Sequence, residues 1–102
     1  MRLTADQLGF IRRTVAEQFG SAAQVWLFGS RVNDNSRGGD IDLYIEPAET
    51  DINKLVEAKL QFLMTLHKTL GNQKIDVVIR TTAFTDELPI YSIAKKTGVR
   101  LT

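Results

Sequence analysis

Cysteine is absent from this chain, which excludes disulfides and thiolate metal sites and fits a reducing compartment. Charge of one sign is not in surplus: the net charge is +1, so no overall field argues for nucleic acid or an anionic membrane. No apolar run approaches the ~20 residues that span a bilayer. The start of the chain lacks the basic-then-apolar pattern of a secretory signal. The expected location is the cytoplasm, with no membrane partner. The only histidine, His67, has Leu63, Leu66 and Leu70 as helix neighbours and no acid four residues away, which marks it as a boundary residue. Both prolines punctuate structure: Pro47 ends a strand and Pro89 suits the first turn of a helix.

What is present is an ordinary soluble composition, 43% hydrophobic and 25% charged. At 102 residues it predicts one domain over 1–102 with a single modest core and little room for a separate acceptor-binding region. The chain is organised around one run. An apolar strand, Gln24 to Phe28, leads into Gly29-Ser30-Arg31; a second strand, Asp40 to Glu46, opens with Asp40 and Asp42. Continuous apolar residues in the first strand, Trp26 among them, predict burial on both faces. Between the strands, Asn33, Asp34, Asn35, Ser36, Gly38 and Gly39 are turn formers.

The flanking segments read as a cover for this run. Thr4 to Phe19 has helical spacing in Leu8, Ile11, Val15 and Phe19, with Thr4 and Gln7 spaced as a capping box and Gly20 as a stop. Asp51 to Leu70 is the longest predicted helix. Its stripe is Ile52, Leu55, Val56, Leu63, Leu66 and Leu70, widened by Leu60, Phe62 and Met64. So broad a band implies either a deeply wedged helix or a flank that meets another chain. Lys74 to Arg80 is a third strand, in which Asp76 interrupts a β-branched run. A helix from Pro89, stopped by Gly98, and a short apolar tail, Val99 and Leu101, complete the chain. The order predicts an α/β (α+β) fold: a small mixed sheet with helices mainly on one face.

Alternation along a strand places Asp40 and Asp42 on one face. Two adjacent carboxylates repel unless a cation or proton lies between them, and a hard divalent cation suits oxygen ligands. Asp76 reaches the same site if its strand lies beside the second. Three such acids suit one or two Mg²⁺ ions that clamp an in-line displacement at phosphorus. Gly29 lets backbone approach a phosphate, Ser30 offers a hydroxyl and Arg31 a cation.

The arrangement of strand, Gly-Ser, nine residues, Asp-x-Asp strand and a later Asp-bearing strand resembles the polymerase-beta-type nucleotidyltransferase superfamily. Phe28-Gly29-Ser30-Arg31 and Gly39-Asp40-Ile41-Asp42-Leu43 are most similar to its minimal nucleotidyltransferase (MNT) members. The resemblance implies that Gly29 and Ser30 hold the triphosphate of ATP. It implies that Asp40 and Asp42 bind Mg²⁺, and that Asp76 completes the metal site and assists deprotonation of the acceptor. It further implies AMP transfer onto a hydroxyl, a tyrosine of a HEPN-type ribonuclease toxin, with this chain as the antitoxin and a hetero-oligomer open to the pair. The loop departs from the common pattern: Val32-Asn33-Asp34 follow Arg31, Gly39 precedes Asp40, and the loop's basic residue is Arg37.

Two other functions compete. One is a small-molecule nucleotidyltransferase of the antibiotic-modifying kind, which usually carries an acceptor domain absent here. The other is a non-catalytic module that neutralises a partner by contact, which the broad apolar band favours. Nucleic-acid polymerisation is disfavoured, because the chain has no basic surplus and no separate domain for template or primer.

Overall fold

Thr4 starts the first helix because its hydroxyl accepts the amide of Gln7 at 3.1 Å while the Gln7 side chain accepts the Thr4 amide at 3.0 Å. These reciprocal bonds satisfy two donors that a helix start leaves open. The computed structural model describes residues 3–29, 41–48, 50–71, 74–80 and 89–101. Within them α1 spans Ala5–Phe19, β1 Gln24–Phe28, β2 Ile41–Glu46, α2 Ile52–Leu70, β3 Ile75–Ile79, α3 Pro89–Thr97 and β4 Val99–Arg100. The expected order is therefore present, with one strand added. The turn-forming loop after Ser30 and the loop before Pro89 lie outside the described residues.

The sheet order is β3-β2-β1-β4. β1 pairs antiparallel with β2 and with β4, and β2 pairs parallel with β3. A parallel neighbour needs a crossover, and α2 is that crossover. β4 was not foreseen as a strand. Val99 and Arg100 pair with Leu27 and Trp26, and the Leu101 amide donates to the Val25 carbonyl at 2.8 Å. Two paired residues are too few to show an alternation, so their sequence carried only an apolar tail.

The two sheet faces have different covers. Val25, Leu27, Ile41, Leu43, Ile45, Ile75 and Val77 join Ile11, Val15 and Phe19 of α1 and Leu55, Phe62 and Leu66 of α2 in the main core. Phe19 and Phe62 meet edge to face at 5.3 Å, a contact that adds about 1 kcal/mol beyond burial. On the other face Trp26 and Tyr44 pack with Tyr91 and Ala94 of α3. Two helices thus cover one face and one covers the other.

The band along α2 resolves into two parts. Leu55, Phe62 and Leu66 are buried, whereas Ile52 and Val56, assigned to the same stripe from spacing, are exposed with Leu60 and Met64. The core-facing centre of the helix is therefore rotated toward Phe62. Asp51 is the cap rather than the first helical residue, accepting the amide of Asn53 at 2.9 Å. Among the described residues no helix is long and apolar enough to cross a membrane.

Candidate active site

Three strand ends converge where β1 stops and β2 and β3 begin. Phe28, the last residue of β1, pairs with Asp42, and Asp42 pairs with Asp76 on its other side. Register partners share a face, so both carboxylates leave the sheet on the side away from α1 and α2. The strands of a sheet lie about 4.8 Å apart, so the two acids are neighbours by construction. The register holds beyond the pair: the Ile41 amide donates to the Lys74 carbonyl at 2.9 Å.

Gly29 follows Phe28 directly and has φ of 77°. A β-carbon built there would lie 2.3 Å from Oδ2 of Asp42 and 3.1 Å from its Cγ. At that distance the Asp42 carboxylate has to move. Glycine is thus required twice over, for a backbone conformation that L-residues avoid and for the space that the Asp42 carboxylate occupies.

Of the residues the sequence nominates, Gly29 and Asp42 are in direct apposition and Asp42 and Asp76 are register partners. Ser30, Arg31 and Asp40 lie outside the described residues. No group of three or more metal-ligating side chains occurs among the described residues. The two acids that are described have the chemistry a divalent cation selects: oxygen ligands of like charge on one face, with Asp76 half exposed and accessible. Sequence reasoning passed over Lys74. Its Nζ lies 3.7 Å from Asp76 Oδ2, giving that carboxylate a solvent-exposed counter-charge. The signal was the two-residue spacing, which puts Lys74, just before β3, on the same side of the chain as Asp76.

A polar network adjoins the acids along β2. Tyr44, two residues from Asp42 and fully buried, donates its hydroxyl to Glu46 Oε2 at 2.7 Å. Glu46 also meets Lys95 of α3 at 3.1 Å. Burial and the bond to Glu46 push the Tyr44 phenol up to about 12, against a smaller opposing pull from Arg80. Burial alone would raise the Glu46 carboxyl, but its bonds from Tyr44 and Lys95 outweigh it and hold Glu46 below the ordinary range. Trp26 and Tyr91 flank Tyr44 at ring separations of 5.4 and 5.8 Å. Lys95 and Arg100 lie near the Trp26 ring, at 5.3 and 5.7 Å from its centroid. The aromatic pile locks the middle of β2 under α3 and so fixes the strand from which Asp42 projects.

No curated protein matches the chain. The family model described as "Polymerase beta, Nucleotidyltransferase" matches residues 11–99. That span runs from within α1 to the first residue of β4 and includes both paired acids and the glycine packed on Asp42. With the match extending over most of its length, this chain belongs to the polymerase-beta nucleotidyltransferase family.

Proposed function

We infer that the chain is a Mg²⁺-dependent nucleotidyltransferase that moves AMP from ATP to a hydroxyl of a partner protein, a tyrosine of a HEPN-type toxin, and thereby acts as its antitoxin. The observation that carries the transferase reading is the register of Asp42 and Asp76 beside the glycine packed on Asp42. The family match supports the same reaction class. The partner rests on the likeness to minimal nucleotidyltransferases in Phe28-Gly29-Ser30-Arg31 and Gly39-Asp40-Ile41-Asp42-Leu43.

Asp42 and Asp76, with Asp40 as the expected third acid, would hold the divalent ion. When bound, the ion neutralises charge on the triphosphate and on the attacking and leaving oxygens. The chain's own groups do the rest. Gly29 keeps backbone close to the phosphates, and Ser30 donates to a terminal phosphate oxygen. Arg31 offsets the charge of the departing pyrophosphate. Asp76, half exposed at the start of β3, is positioned to accept the proton of the incoming hydroxyl. The acceptor oxygen bonds to the α-phosphorus, the bond to the bridging oxygen breaks, and pyrophosphate leaves.

Co-expression with the toxin gene tests the reading. The intact mass of the purified toxin should gain one AMP, on a tyrosine, and its ribonuclease activity should fall. Neutralisation without any gain in mass would refute transfer as the basis of antitoxin action.

A further inference from the structure

One flank of α2 is apolar and open. Ile52, Val56, Leu60 and Met64 follow at four-residue intervals, and Val56, Leu60 and Met64 are 58%, 58% and 63% exposed. At 100° per residue this ridge lies about 120° around the helix from Leu55, Phe62 and Leu66, which meet the core. A shallow groove borders its C-terminal half, between Leu63, Met64 and His67. Scattered exposed apolar residues are ordinary, but a continuous ridge along a helix of about 28 Å is not. A four-residue ridge is also the surface by which helices most often interlock with their like.

The charges beside the ridge select the occupant. Glu57 and Lys68 lie along the same border, one on each side of the midpoint between Leu60 and Met64, five to six positions from it. Both are exposed, and neither forms an ion pair with another described residue. A second α2 laid antiparallel across a twofold axis brings Glu57 of each copy to Lys68 of the other, twice per pair. In a parallel copy the twofold axis carries the two borders to opposite sides of the seam, so Glu57 and Lys68 do not meet. The border is therefore complementary to itself in one orientation only.

We propose that this ridge docks against the same ridge of a second copy of the chain, antiparallel about a twofold axis near Leu60 and Met64, with two reciprocal Glu57–Lys68 pairs. α2 covers the sheet face opposite Asp42 and Asp76, so the dimer leaves both acid pairs open on its outer sides. The inference does not depend on the reaction proposed above.

Sedimentation equilibrium of the purified chain tests it, from low micromolar to near millimolar concentration. The chain should show a concentration-dependent monomer–dimer equilibrium. Glu57→Lys and Lys68→Glu should each weaken the dimer roughly tenfold, and the double reversal should restore it, because each single change turns two attractions into repulsions. Leu60→Lys should abolish dimerisation with the circular dichroism unchanged. Should that variant unfold, the charge reversals, both at exposed positions, still decide the matter. A chain that stays monomeric throughout overturns the proposal, even if a different protein then binds the ridge. So does a dimer that the single reversals leave unaffected, or one that the double reversal fails to restore.

Discussion

Asp42 and Asp76 are partners in the parallel register of β2 and β3, side by side on the sheet face opposite the main core. Neither strand alone makes this pair. It exists because α2 returns the chain parallel to β2 with a register that sets acid beside acid. A shift of one residue in β3 would turn Asp76 into the core and place Ile75 or Val77 beside Asp42.

Replacing either acid should remove function and spare the fold. Losing a residue that merely supports a metal ligand costs about 10- to 100-fold, so Asp76→Asn or Asp42→Asn should lower Mn²⁺ affinity at least about a hundredfold. Asp76 is half exposed, and its Asn variant should unfold within about 0.5 kcal/mol of the parent. Mn²⁺ titration followed by electron paramagnetic resonance, with urea unfolding alongside, separates the two effects.

Gly29→Ala and Gly71→Ala form a matched pair. Both glycines have positive φ, 77° and 84°, so either substitution should cost about 1 kcal/mol of stability. At Gly71 nothing lies within 4 Å of the added carbon, whereas at Gly29 it meets the Asp42 carboxylate at 2.3 Å. Only Gly29→Ala should therefore also weaken Mn²⁺ binding. Equal metal affinity in the two variants would contradict the role given to Gly29.

Alkaline titration should isolate Tyr44. Its phenol is raised to about 12 in the folded chain, from about 10 when unfolded. Below pH 10 both states keep the proton and the contribution to stability is complete. Between pH 10 and 12 the unfolded state loses its proton first, so this contribution falls by about 2 kcal/mol as pH rises. Phenolate absorbance should show a late-titrating component, and Tyr44→Phe should remove it.

On α2 the exposed and buried apolar residues should part company in stability. Phe62→Ala empties a fully buried position against Phe19 and should cost about 3–5 kcal/mol. Met64→Ala, at 63% exposure, should change the unfolding free energy of the monomer by less than about 0.5 kcal/mol. Chemical denaturation of the dilute variants measures both.

Much of this was legible in the chain itself. Thr4 and Gln7 announced the first helix through a pairing that needs only local geometry. The β-branched run around Asp76 announced both a strand and an anomaly, since a charge there must face away from Ile75 and Val77. What spacing could not supply was long-range pairing. Nothing local in the sequence makes β3 a neighbour of β2, and the register of Asp42 with Asp76 depends on contacts across the whole of α2. The same limit hid β4, a two-residue strand that β1 recruits. On α2, helical periodicity grouped Ile52 and Val56 with Leu55, because a band this wide has no unique centre until its neighbours are known. Ser30, Arg31 and Asp40, the other residues expected at the site, lie outside the described residues.

The most direct test of the proposed nucleotidyl transfer follows label from ATP to the proposed toxin partner in the presence of Mg²⁺. With α-labelled ATP the parent chain should transfer label, with γ-labelled ATP it should not, and chelation of Mg²⁺ should stop the reaction. The Asp42→Asn/Asp76→Asn variant should transfer none. Undiminished α-label transfer by that variant would contradict the assignment of these two acids as the reaction centre.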